Sequence, residues 1–304
     1  MAATARVGTS GWIYPHWRGR FYPARLPSSR WLEFLSTRLE TVEINGTFYS
    51  LTTPRACERW RAAVPADFVF ALKGSRYITH MKQLRDARSA LANFFASGIL
   101  RLGAQLGPIL WQLPPRLVFR ADVADEFFGL LPRDVRAAER LARRHDERVA
   151  GRCALTAPDG RDREILYALE PRHESWMGDE AASFLGARGV ALVFADTAGL
   201  HPSPSAPTTR ALAYVRLHGA RRIYEGHYLD EELRAWARRA RRWVRSGTPV
   251  FVYFDNDRAA AAPRDAGRLA GMIAGRLVKP EGKDAGEVPP RRARRPPAHF
   301  AFTS

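Results

Sequence analysis

Three stretches of the sequence set ionisable or amide side chains two residues apart, the spacing that puts both on one face of an extended strand. Glu43 and Asn45 stand this way in TVEIN, Glu170 and Arg172 in ALEPR, and Arg216 and His218 in YVRLH. Each stretch closes an apolar run, and Lys73, Gln112, Asp196 and Asp255 close four others, the last followed by Asn256 and Asp257. Arginine grips phosphate as a two-pronged fork, lysine as a point charge, and histidine exchanges a proton near neutral pH. Lys73, Arg172 and Arg216 therefore form a candidate anion site. His218 or His173 is the candidate general acid or base, oriented by Glu43, Glu170 or Asp196, and Asp255 joins the acidic candidates. Trp12, Asn45, Gln112, Asn256 and Asp257 are candidate substrate contacts. Ionised groups gathered inside a protein are costly to desolvate, so the collection points to a ligand site even though any single Arg–Glu pair could merely tie two strand ends.

A metal-dependent version of this site would use Glu170, Asp196, His218 and Asp255 as ligands of one divalent ion. Three neighbouring cations leave only a small acidic surplus to attract it, so a single divalent ion is possible but not favoured, and the cofactor is otherwise unknown. Six of the eight histidines (His16, His80, His173, His201, His218 and His227) fall at the ends of apolar runs or just after them. Aromatic residues crowd the same places: Trp12, Tyr14, Trp17, Phe21 and Tyr22, then Phe48 and Tyr49, then Tyr224 and Tyr228. Packing over the end of the fold is the first expectation for such rings, and stacking on a ligand face the second.

The elements that must position these groups are eight short apolar runs. They are Ala5 to Gly11, Thr41 to Asn45, Phe68 to Lys73, Ile109 to Gln112, Ile165 to Arg172, Ala191 to Asp196, Ala211 to His218 and Pro249 to Asp255. Runs of this length and composition read as strands buried on both faces, the habit of a parallel sheet covered by helices. A doubly wound sheet collects ligand-facing groups beside one switch point, whereas a barrel brings every C-terminal strand end to one mouth. All eight runs end in polar residues, so the expected fold is an α/β (β/α)₈ TIM barrel. The stripes Leu91, Phe94, Phe95, Ile99, Leu102 and Leu233, Trp236, Ala237, Ala240, Trp243, Val244 predict core-facing helices. Thr53 before Pro54 predicts a helix start, and Gly189 a helix end. Extra helical segments are expected after the fourth run, over Val123 to Leu131 and Asp134 to Val149. The proline-rich GLHPSPSAPTT between the sixth and seventh runs predicts an irregular loop.

One barrel over residues 1–278 accounts for most of the 304 residues, and the Pro/Arg-rich 279–304 is expected to be a disordered basic tail. The formal charge of +17 raises nucleic acid as a partner. Lysine occurs only at Lys73, Lys82, Lys279 and Lys283, and much of the arginine falls on expected outer helix faces, so solvated surface is the simpler account. No apolar stretch reaches the roughly 20 residues of a membrane span. Cys57 and Cys153 have neither metal-type spacing nor a disulfide framework, and no apolar leader precedes the first run, which together predict a cytoplasmic protein.

Seven segments then carry a resemblance: TSGWIYPHWRGRFYP (Thr9 to Pro23), VEINGTFYSL (Val42 to Leu51), FALKGSRYITH (Phe70 to His80), LGPILWQLPP (Leu106 to Pro115), RHESW (Arg172 to Trp176), YVRLHG (Tyr214 to Gly219) and YFDND (Tyr253 to Asp257). In order and over about residues 6 to 275, they resemble the YecE-like family, domain of unknown function 72. The resemblance implies a TIM barrel and no particular activity. The chain departs from that pattern at Asp255, where the family usually has Asn, and at Pro171, where an aromatic residue is usual. The leading expectation is an enzyme acting at the barrel mouth on a phosphate-bearing substrate, a nucleotide or nucleic acid, with a phosphodiesterase-like hydrolase as one form. The alternatives are a nucleic-acid-binding protein without chemistry and a small-molecule sensor.

Overall fold

A computed structural model describes residues 3–275. Nine strands form one sheet: β1 (Ala5–Ser10), β2 (Thr41–Ile44), β3 (Val69–Lys73), β4 (Leu106–Gln112), β5 (Tyr167–Glu170), β6 (Val190–Leu192), β7 (Phe194–Asp196), β8 (Ala213–Leu217) and β9 (Val250–Phe254). Every neighbouring pair is parallel, in the order β6-β5-β4-β3-β2-β1-β9-β8-β7. The two ends of that order are consecutive in the chain, with Val193 alone between them. The wall thus closes as a TIM-like barrel of eight staves whose sixth is split. Leu192 pairs with Leu169 on β5, and Phe194 with Val215 on β8. The single strand expected over Ala191 to Asp196 is therefore two short ones, because the chain switches its ladder from one neighbour to the other at Val193.

Period-two alternation sorts the strand side chains between the barrel axis and the helix layer. Ala71, Leu110, Ala168, Ala195, Tyr214 and Tyr253 belong to a buried cluster separate from the larger core that strands share with helices. Small residues on some strands make room for large ones on others, so the axis is filled rather than open. The rings of Tyr214 and Tyr253 lie 5.2 Å apart, with Phe251 stacked 6.4 Å from Tyr253. Gly8 is demanded by this closeness: a Cβ there would stand 2.0 Å from the Thr41 carbonyl oxygen.

The helices follow their sequence signals with three corrections. Thr53 accepts a hydrogen bond from Ala56 N and starts Pro54–Ala63, and Asp179–Ala187 ends before Gly189 at φ +66°. The stripe from Leu91 to Leu102 is not one helix: Arg88–Ala96 stops at Gly98, whose φ of +110° breaks it, and Ile99–Gln105 continues as a tighter coil. A Cβ on Gly98 would meet Pro54 at 2.5 Å, so only glycine lets these segments pass. After β4, Ala121–Leu130 matches the expected helix, but the next runs only from Val135 to Ala142, capped by Asp134, and the chain through Val149 is turns. The segment after β7 is irregular and includes no helix. The helix Asp230–Arg245 buries Leu233, Ala237, Ala240 and Trp243 but leaves Trp236 and Val244 half-covered. Among the described residues no helix is long and apolar enough to cross a membrane, and both cysteines are free. The expected tail and barrel end at 278 lie outside the described residues.

Candidate active site at the barrel mouth

The inward parity of β8 stacks Tyr214, Arg216 and then His218 from the barrel centre toward its C-terminal opening. Arg216 is 1% exposed. Its guanidinium meets Glu43 in fork geometry, Nη2 to Oε1 at 2.8 Å and Nε to Oε2 at 3.2 Å. Nη1 donates to Glu170 Oε2 at 2.7 Å, and Nη2 also reaches Ser10 Oγ at 2.9 Å and Asp255 Oδ2 at 3.2 Å. Glu43 is held further by the Tyr214 hydroxyl at 2.6 Å and by Ser10, whose oxygen in turn accepts from Asn45 at 3.1 Å. One cation thus organises carboxylates from β2 and β5 and the one just after β9.

His218 lies between two carboxylates, with Nε2 3.2 Å from Glu170 Oε1 and Nδ1 3.0 Å from Asp255 Oδ2. The second contact has ion-pair distance without hydrogen-bond alignment. Burial and the Arg216 charge both push the imidazole pKa down, but Asp255 and Glu170 outweigh them and the net shift is upward. Burial alone would raise both carboxyls; instead Arg216, Arg172 and His218 hold Glu170 well below the ordinary range, and His218 with Arg216 lowers Asp255.

These shifts fix a pH profile. A raised histidine stabilises the fold fully below its ordinary value of 6.5, and that contribution is lost as pH climbs through the raised value. Lowered carboxyls contribute above their ordinary values and lose the contribution on acidification. Stability followed by chemical denaturation is expected to fall on both sides of a plateau, below about pH 4 and above about pH 6.5. His218→Gln will remove the alkaline limb; persistence of that limb in the variant would assign it to another group.

Arg172 continues the inward parity of β5 and lies 2.8 Å from Glu170 Oε1, while its Nε is buried with no hydrogen-bond partner. Lys73, at the end of β3, has no ion pair or hydrogen bond through its amine among the described residues; its Nζ sits 4.3 Å from the centre of the Phe48 ring. Burial, then the Arg216 charge, presses its pKa down to about 8. The backbone beneath it is fixed, since its carbonyl accepts from Thr47 Oγ1 at 2.7 Å and Gly74 lies so close to Trp111 that a Cβ would clash at 2.2 Å. Around the opening, the Tyr14 hydroxyl donates to Ser10 O at 2.6 Å, and Tyr224, at φ +64°, sets its ring 5.8 Å from His218.

Other expected site residues are placed differently. Asp196 has the parity of Phe194, which stacks on Trp243 in the helix layer, so it faces away from Arg216 and toward Tyr228. Asn256 likewise turns outward, donating to Gly226 O at 2.8 Å and to Asp265 at 2.9 Å. His173 caps the turn Glu174–Met177, its Nδ1 accepting from Ser175 N, and is occupied locally. Trp12 is buried edge-on against Trp60 at 5.8 Å. Asp257 is half-buried by the loop after β1, its carbonyl accepting from Trp17 Nε1 at 2.8 Å. Gln112 ends β4 beside Glu170 in the ladder. The metal set is not assembled: Asp196 is absent from the group, and among the described residues no three such side chains converge on a metal position. Ser10 and Tyr214 were not singled out by the sequence, although they carry the same two-residue spacing as their charged neighbours; Tyr224 stood out there only as one of several clustered aromatic residues.

Comparison with known structures agrees with this architecture. A DUF72 family protein from Thermotoga maritima superposes with a TM-score of 0.69 at 24% identity, covering 89% of this chain and 99% of its own. One from Enterococcus faecalis gives 0.66 at 16% identity, covering 92% and 99%. No curated protein matches the sequence. The model of the family described as "Protein of unknown function DUF72" matches residues 6–288, nearly the whole length, and the chain belongs to that family.

Proposed function

We propose that the protein is an enzyme acting at its C-terminal barrel mouth on a phosphate-bearing substrate. The observation that carries this reading is the unfilled capacity of two cations in an otherwise saturated network: among the described residues Lys73 has no ionic partner and the buried Nε of Arg172 no hydrogen-bond partner. At the mouth, the three carboxylates Glu43, Glu170 and Asp255 meet two permanent cations, Arg216 and Arg172, a histidine shifted toward its charged form, and Lys73, which is largely protonated at neutral pH, so the balance there favours an incoming anion. Arg216 itself leaves the anion site, since Glu43, Glu170, Asp255 and Ser10 occupy its donors. It acts instead as the organiser of the acids. The His218–Asp255 pair is the proton-exchanging group, with Asp255 its more exposed member. Glu43, Glu170 and Asp255 are engaged with Arg216 and serve the ion-pair network, and Asp196 faces Tyr228.

Isothermal titration with inorganic phosphate and pyrophosphate tests the reading. Losing a charged hydrogen bond costs about 1.5–3 kcal/mol, so Arg172→Gln is expected to weaken binding by about tenfold or more. Unchanged affinity in Arg172→Gln and in Lys73→Met would move the anion site elsewhere and overturn it.

A further inference from the structure

We propose that Lys73 is a covalent centre, its amine condensing with an aldehyde or ketone carbon of the substrate to form an imine. This rests on the mouth being the site of a phosphate-bearing substrate, and it narrows that substrate to a carbonyl compound carrying a phosphate.

This chain uses lysine rarely. Lysine fills four of its 48 basic positions, and the described residues hold two, Lys73 and Lys82. Arginine serves almost everywhere a fixed positive charge is wanted, and it cannot become a nucleophile at neutral pH. At the end of β3 a lysine stands instead, and burial with the nearby Arg216 charge disfavours its ammonium form more than the carboxylates beyond restore it. The carboxylates Glu43, Glu170 and Asp255 are all taken by Arg216, Arg172 or His218, so none neutralises it at contact distance. Lys73 is half-buried, and its Nζ stands 4.3 Å from the centre of the Phe48 ring, a weaker counterpart than a carboxylate. Desolvation together with cationic neighbours is the recognised way to make a lysine nucleophilic. His80 lies against the same Phe48 ring at 5.2 Å, and burial, then the Lys73 charge, keeps its imidazole below the ordinary pKa. The ammonium proton is lost to solvent, about half of the Lys73 amine being free near pH 8.

The step balances without an oxidant or cofactor. The nitrogen lone pair adds to the carbonyl carbon while the π electrons move to oxygen, giving a carbinolamine. The C–O bond then breaks, the two amine protons leave with that oxygen as water, and a C=N bond joins Lys73 to the substrate. Arg172, with its open Nε, is the group placed to hold the phosphate.

Pyridoxal 5′-phosphate, an aldehyde carrying a phosphate, is a suitable probe. The full chain is incubated with it at pH 8, reduced with borohydride and mapped by peptide mass spectrometry, with plain pyridoxal in parallel. The expected result is a saturable adduct on Lys73 formed at least tenfold faster than on Lys82, Lys279 or Lys283. Inorganic phosphate will slow it, and Lys73→Arg, checked for folding by circular dichroism, will lack it. Labelling spread evenly over the four lysines would overturn the covalent role even if phosphate binds in the mouth. Equal labelling of Lys73 by pyridoxal and its phosphate, indifferent to inorganic phosphate, would keep the amine but overturn the phosphate-bearing substrate.

Discussion

Replacing Arg216 with Met is expected to cause the largest loss of stability of any single substitution at the mouth. The side chain is fully buried and is the shared partner of Glu43, Glu170 and Asp255. Without it, the carboxylates on β2 and β5 and the one just after β9 stay desolvated and repel one another. Breaking a buried ion pair by removing one partner costs about 3–5 kcal/mol, mainly because the charge left behind is uncompensated. In a domain of this size that lowers Tm by roughly 10 °C. A second substitution separates charge from packing: Glu43→Gln in the Arg216→Met background removes one stranded charge and is expected to recover part of the loss. Thermal unfolding of the four proteins in this cycle gives the coupling directly. An Arg216→Met variant that melts with the wild type would show that the network adds nothing to the fold.

Lys73→Met is expected to do the opposite. A lysine whose folded pKa lies at about 8, against 10.5 ordinarily, opposes folding while it is protonated, and the penalty fades as pH rises between those values. One pKa unit corresponds to about 1.4 kcal/mol, but partial exposure and the contact with Phe48 return some of that, leaving a gain of about 1–2 kcal/mol for methionine at pH 7. The gain will shrink above pH 8 and vanish near pH 10.5. A stabilised variant that also loses carbonyl labelling would mark Lys73 as a residue kept at the fold's expense. A destabilised one would show that the ammonium is anchored by its surroundings.

The barrel and much of its mouth are legible in the sequence because two periodicities are strong there. Alternation along YVRLH places Arg216 and His218 together, and the same rule correctly sends Glu43 and Glu170 inward. Asp196 and Asn256 were misplaced for the converse reason: being last on a strand says nothing about side, and parity turns both toward the helices. Ser10 and Tyr214 obey the inward parity, but a serine and a tyrosine do not stand out until the charge they support is seen. The break of the Leu91 stripe at Gly98 depends on the approach of Pro54, a contact across the fold that no local window contains. Tyr224 near His218 depends on a left-handed loop residue of a bulky type, which propensity argues against.

The aromatic plug of Tyr214, Tyr253 and Phe251 fills the barrel axis beneath Arg216, so the barrel is a packed core and not a tunnel. Any compound that reaches Lys73 must depart along its route of arrival, so entry and exit share a single passage. Two reactants would have to enter in sequence, and the last in would obstruct the first. For the proposed enzyme, accumulated product would hold the passage against fresh substrate, and throughput would be set by how readily the rim around Tyr14 and Tyr224 releases its occupant.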